Sequence, residues 1–126
     1  MAARTISHPV PAELDGVDRI RLELERELAW TVFERNAEPL WQHVRLEVED
    51  VLIHRWRDGD LVGETPAEAF FVRCGLGETM TQDDLGSDRL VVEIGVAPFA
   101  PEEFETFRIV RMVGHRPGRI PAQERS

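Results

Sequence analysis

The chain has no lysine: all fifteen of its basic residues are arginine, and they face twenty-four acids across 126 residues, for a net charge of −9. Binding to nucleic acid draws on clustered bases that displace counterions, and an anionic membrane surface is read in the same way. This balance therefore argues against both partners. A single cysteine, Cys74, excludes an internal disulfide, so the fold needs no oxidising compartment, which fits the cytosol. No apolar run approaches the ~20 residues that cross a bilayer. Behind Arg4 there is no apolar core of the kind a secretory signal carries.

What is present describes one folded domain. The apolar fraction is 42% and the charged fraction 31%, and a chain of this length hides roughly two-thirds of the surface its unfolded form exposes. The charge is uneven. Residues 1–58 carry net −4, residues 59–113 net −7 and residues 114–126 net +2, an acidic body with a short basic tail.

Along the chain, His8-Pro9-Val10-Pro11 favours an extended path, and residues 1–16 read as a leader or arm. Residues 17–33 read as a helix with Val17, Ile20, Leu24, Leu28 and Thr31 on one face. A second helix, residues 37–57, has a broad face of Leu40, Trp41, Val44, Val48, Val51, Leu52 and Trp56. Asn36 is its expected N-cap, Pro39 sits in its first turn and Gly59 ends it. Leu46 and Ile53 lie opposite the main stripe, a back-side pair that suggests a second covering surface. Thr65-Pro66-Ala67-Glu68 has the form of a capping box, leading into a strand from Phe70 to Cys74. Gly75 and Gly77 mark a turn, and Thr81-Gln82-Asp83-Asp84 a short capped one. Strands follow over 89–97, with Leu90, Val92, Ile94 and Val96 on one face, and over 104–113, with Phe107, Ile109 and Val113 on one face. After Gly114 the tail is polar and is expected to be disordered in isolation. The domain is therefore placed at residues 17–113. Its class is α+β: two N-terminal helices packed on a small, mostly antiparallel sheet with open edges.

Chemistry-bearing residues do not converge. His43 and His54 share a side of the second helix, but eleven helical residues hold them about 16 Å apart, too far for one metal ion. Cys74 has no local base to activate it. Gly75-Leu76-Gly77 lacks the third glycine of a dinucleotide loop. The acid pairs Asp83-Asp84 and Glu102-Glu103 are sequence neighbours and cannot face each other across a cleft. The sequence thus offers no catalytic residue, no metal ligand set and no cofactor site, and reads as a non-enzyme.

Five segments in order carry a resemblance. They are Val32-Phe33-Glu34-Arg35-Asn36 with Leu40-Trp41; Trp56-Arg57-Asp58-Gly59-Asp60-Leu61-Val62-Gly63; Thr65 to Cys74; Thr79-Met80-Thr81-Gln82-Asp83-Asp84-Leu85; and Arg89 to Phe107, including Val96-Ala97-Pro98 and Pro101-Glu102-Glu103-Phe104. With Ala3-Arg4-Thr5-Ile6-Ser7, this order resembles the C-terminal domain of contractile phage tail sheath proteins, a family that includes the sheaths of phage-like injection particles and tailocins. Arg35 stands where that motif usually has proline.

The resemblance implies a structural role. Sheath subunits stack around an inner tube, their C-terminal domains lie near it, and extended arms add strands to neighbouring sheets. It implies sheath and inner-tube proteins as partners, with self-association, and assembly in the bacterial cytoplasm into a virion or injection particle. A full sheath subunit is several hundred residues long, so the expectation is a solitary sheath-like domain acting as a reduced paralogue, cap or adaptor. The alternative is a free interaction module that borrowed the fold. The expected edge is residues 104–113, with Phe107 and Ile109 as interface candidates and Ile109→Pro as the substitution expected to impair assembly more than folding. Arg108 and Arg111 are candidates for meeting an acidic tube, and Leu46 and Ile53 for a contact on the helix.

Overall fold

The computed structural model describes residues 15–115. The extended path through His8–Pro11, the resemblance at Ala3–Ser7 and the polar tail beyond His115 lie outside them. Helix α1 runs Gly16–Glu27, a 3₁₀ turn follows at Ala29–Phe33, and helix α2 spans Glu38–Arg57. A short helix α3, Pro66–Ala69, leads into strand β1, Phe70–Arg73; helix α4, Gln82–Gly86, precedes strands β2, Arg89–Val96, and β3, Glu105–Met112. The three strands form one antiparallel sheet in the order β1-β2-β3. This is the expected α+β layout with an open-edged sheet.

The core lies between the helices and one sheet face. Ile20, Leu24 and Leu28 from the first helical segment and Leu40, Trp41, Val44, Val48 and Leu52 from α2 pack on Leu90, Val92, Ile94, Val96 and Ile109. Fully burying one such side chain stabilises the fold by about 1.5–3 kcal/mol. The alternation read along residues 89–97 is therefore the inner face of the central strand.

Three local expectations are corrected. The first helix does not continue to residue 33. After Leu28 the chain tightens into the 3₁₀ turn, where the Thr31 hydroxyl donates to the Leu28 carbonyl at 2.7 Å; Thr31 is still fully buried on the predicted face. Asn36 does not cap α2, whose cap is Ala37 with no side-chain bond. Instead the Asn36 amide oxygen accepts from Trp41 Nε1 at 2.8 Å, and its Nδ2 donates to the Arg89 carbonyl at 3.0 Å. Buried polar groups take the partners that burial leaves them, and here they tie α2 to the head of β2. Thr65 makes no side-chain cap; Glu68 reaches one residue further back, its Oε1 accepting from the Glu64 N–H at 2.9 Å. The Thr81–Asp84 turn does form a reciprocal capping box.

Candidate assembly interface

Which strand edge can accept another chain follows from the direction of each backbone group. In an antiparallel ladder a residue's N–H and C=O point to the same side, and successive residues alternate. Val113 N–H donates to the Asp88 carbonyl at 2.9 Å, across the line of the β2–β3 ladder. Ala97 N–H donates to the Ala69 carbonyl at 2.8 Å on the β1 side. Carried along the register, these two bonds turn the odd-numbered residues of β3 toward β2. They leave Thr106, Arg108, Val110 and Met112 facing outward.

The two edges differ. On β1 the outward N–H of Phe70 is taken by the Pro66 carbonyl, and the carbonyl of Cys74, just past the strand, accepts from the Arg45 guanidinium of α2. Arg45 is itself held by Glu38 at 3.0 Å. That leaves Val72 alone between two occupied positions. On β3 four outward residues stand in a row, and among the described residues no strand pairs with them. The row is bounded at its far end, where Gly114 N–H donates to the Glu34 carbonyl and His115 N–H to that of Val32, both at 2.7 Å. The stretch Thr106–Met112, roughly 20 Å of strand, therefore lacks a strand partner, with one of its outward carbonyls, that of Arg108, accepting from Arg21 Nη2 at 3.3 Å, and Val110 and Met112 on it are 42% and 59% exposed.

The outer sheet face is polar at its centre. Glu93 on β2 sits opposite both Arg73 and Arg108 in the register, and its two oxygens lie 3.4 Å and 3.9 Å from their guanidinium nitrogens. Arg108 thus has its charge answered within the domain.

The other sequence candidates separate. Phe107 is half-buried on the inner face, and Arg111 shares that face and that partial burial. Ile109 is buried in the core at 1% exposure, and its backbone faces β2. Ile109→Pro would therefore break the internal ladder and the core, so it does not report on the free edge. Leu46 projects from α2 at 58% exposure, whereas Ile53 packs partly against the core. Arg21 and Arg45, which bond outward carbonyls, were not singled out by sequence. An arginine on a helix face gives no sign that it will reach around a sheet.

The chemistry-bearing residues remain apart. Among the described residues no group of three His, Cys, Asp or Glu side chains could hold a metal ion. His43 stacks near Trp30, ring centres 4.5 Å apart, and His54 Nδ1 lies 2.7 Å from the Asp50 carbonyl. Burial pushes the Cys74 thiol up to about 12 against the opposing pull of Arg45, so it stays protonated. A groove of about 170 Å³ between α1 and the end of α2 is crossed by Arg55, which lies 3.7 Å from Glu23 and 3.2 Å from Asp60. No helix among the described residues is long and apolar enough to cross a membrane.

Comparison with solved structures gives this fold a context. It matches a chain in the baseplate of the anti-feeding prophage (AFP), 6-fold symmetrised, at TM-score 0.64 and 32% identity over 75% of this chain and 26% of that one. It matches a chain of the PVC sheath complex of an extracellular contractile injection system, in the contracted state, at TM-score 0.63 and 31% identity, covering 71% and 25%. For the AFP helical sheath in the contracted state the values are 0.60 and 34%, covering 71% and 25%. The chain carries a phage-tail-sheath-like domain. This sheath-like domain spans about a quarter of the length of the chains it matches. No protein-family model and no curated protein matches the chain. The structures it resembles are sheath and baseplate assemblies, which agrees with the structural role implied by the ordered motifs.

Proposed function

We propose that this chain is a structural component of a contractile tail or phage-like injection particle, and that its sheath-like domain joins neighbours by accepting an extended strand on the β3 edge. The observation that supports the edge is the row of four outward-facing residues from Thr106 to Met112, beside a β1 edge already occupied on both sides of Val72. Main-chain bonds give such strand addition its affinity, and neighbouring side chains give it selectivity. The partners of this reading are sheath-type subunits, with inner-tube proteins and further copies of the chain as additional contacts. The place of action is the assembled particle, reached from the bacterial cytoplasm. The role is architectural, with no reaction assigned.

Tagging the protein in its host and sedimenting the particles tests this reading. The tagged chain is expected to travel with sheath and tube proteins, at many copies for a lattice component and at few for a cap or adaptor. A chain that stays at the top of the gradient while intact particles sediment contradicts it and identifies a free interaction module.

A further inference from the structure

The β3 edge is open along its outward amides, but one of its outward carbonyls is held. Arg21 reaches from α1 around the edge: its Nη2 donates to the Arg108 carbonyl at 3.3 Å, and its guanidinium carbon stands 5.6 Å from the centre of the Phe107 ring. Glu25, one turn along α1, holds its Nε at 3.4 Å. A strand adding here needs the Arg108 carbonyl as an acceptor, so it must displace Arg21 Nη2. The released guanidinium then stands beside the new strand, with one exposed carboxylate to answer it.

On a chain that carries −9 overall, β3 itself has two arginines, Arg108 and Arg111, against one acid, Glu105. Across the ladder Arg108 meets Glu93 at 3.9 Å, a carboxylate it shares with Arg73, so the strand keeps a local excess of positive charge. We propose that the strand accepted at β3 is an acidic one, carrying a carboxylate that takes over the Arg21 guanidinium as Arg108 gives up its bond to it. The proposal rests on the reading of β3 as the docking edge. A second copy of β3 fits less well, because pairing it antiparallel brings the arginines of two copies along one short junction, and like charges across a ladder destabilise it. Arg21 then has two states: it blunts the edge when no partner is present, as charged side chains commonly do, and it selects the partner by charge when one arrives.

The test uses two fluorescein-labelled peptides about eight residues long, the length of an ordinary strand. Both alternate threonine and valine; one carries two glutamates and the other two glutamines at the same places. Anisotropy titrations on the whole protein compare wild type, Arg21→Gln and Arg108→Pro. The acidic peptide is expected to bind wild type about three- to tenfold more tightly, a preference that narrows with added salt. Arg21→Gln removes the charge and, two bonds shorter, no longer reaches the Arg108 carbonyl; it leaves the edge open and is expected to bring the two peptides level. Arg108→Pro is expected to lose both. Equal binding to wild type, or a preference that survives in Arg21→Gln, overturns the inference and leaves the edge in place. Binding of neither peptide, or binding that Arg108→Pro does not touch, overturns the edge and the inference together. Wild-type dimers in sedimentation that Arg108→Pro abolishes make a second copy the occupant, and overturn the acidic-strand inference.

Discussion

The Phe71 ring occupies the space that a side chain at Gly95 would fill: an added Cβ at Gly95 meets Phe71 Cε2 at 2.0 Å. The two residues are cross-strand partners on the outer face, and the ring is held from both sides. Phe104 meets it edge-on at 5.1 Å between centroids, and the Arg73 guanidinium lies 4.6 Å above it. Gly95→Ala is expected to destabilise the domain by about 1–3 kcal/mol, the usual cost of forcing extra volume into a packed site. Urea unfolding checks this, and the double variant Gly95→Ala with Phe71→Ala should lose less than the two single losses combined, because the ring no longer opposes the methyl.

Proline separates the two sides of β3. At Ile109 it removes a bond of the β2–β3 ladder and a core side chain together, and large-to-small losses at such sites run to about 2–5 kcal/mol. At Arg108, whose N–H faces outward, the cost should stay below about 1 kcal/mol, as for ordinary surface substitutions. Thermal melts of the two variants decide between this alternation and the reverse one.

Asp84 gives a pH prediction with a definite sign. The Thr81 backbone N–H donates to it at 2.8 Å, and this bond, reinforced by the Thr81 hydroxyl and by Arg89 at 3.2 Å, holds its carboxyl below the usual carboxylate range. A lowered folded-state pKa means that the stabilisation is complete above the unfolded value, near 3.8, and is lost as pH falls through the folded one. The urea midpoint of Asp84→Ala should therefore lie below that of wild type at neutral pH, and the gap should close as the solution is acidified below that value. A gap that widens on acidification contradicts the assignment.

The thiol of Cys74 should be silent in the folded protein. It is fully buried and its pKa is pushed up to about 12, so iodoacetamide at mildly alkaline pH is expected to leave it unmodified until the domain unfolds. Mass spectrometry after labelling with and without urea reads this directly. Fast labelling of the native protein would place the thiol in an accessible, activated site instead.

Where burial follows periodicity, the sequence was legible. The alternation of Leu90, Val92, Ile94 and Val96 marked the inner face of the central strand, and the stripe on α2 marked the helix above it, because each period places one side of an element in the core. The ordered segments also pointed to the sheath fold that the solved structures share. The misreadings came where tertiary partners outbid local ones. Asn36 has the chemistry of a cap, yet it bonds Trp41 and the Arg89 carbonyl. Ile109 sits on the expected edge strand, but side-chain face and backbone direction alternate together along a strand, and residue type does not reveal which half faces its neighbour. The close approach at Gly95 did leave a trace, a lone glycine inside a strand rich in valine and isoleucine, which is a known mark of tight packing.

The central claim is that β3 accepts the strand that builds this domain into a particle. The most direct test is competition. Differently tagged wild-type and Arg108→Pro chains are expressed together in the host, and their ratio in sedimented particles is compared with that in the soluble pool. The account predicts that Arg108→Pro, folded to within about 1 kcal/mol of wild type, is depleted from particles several-fold or more. Equal incorporation of the two chains would contradict it.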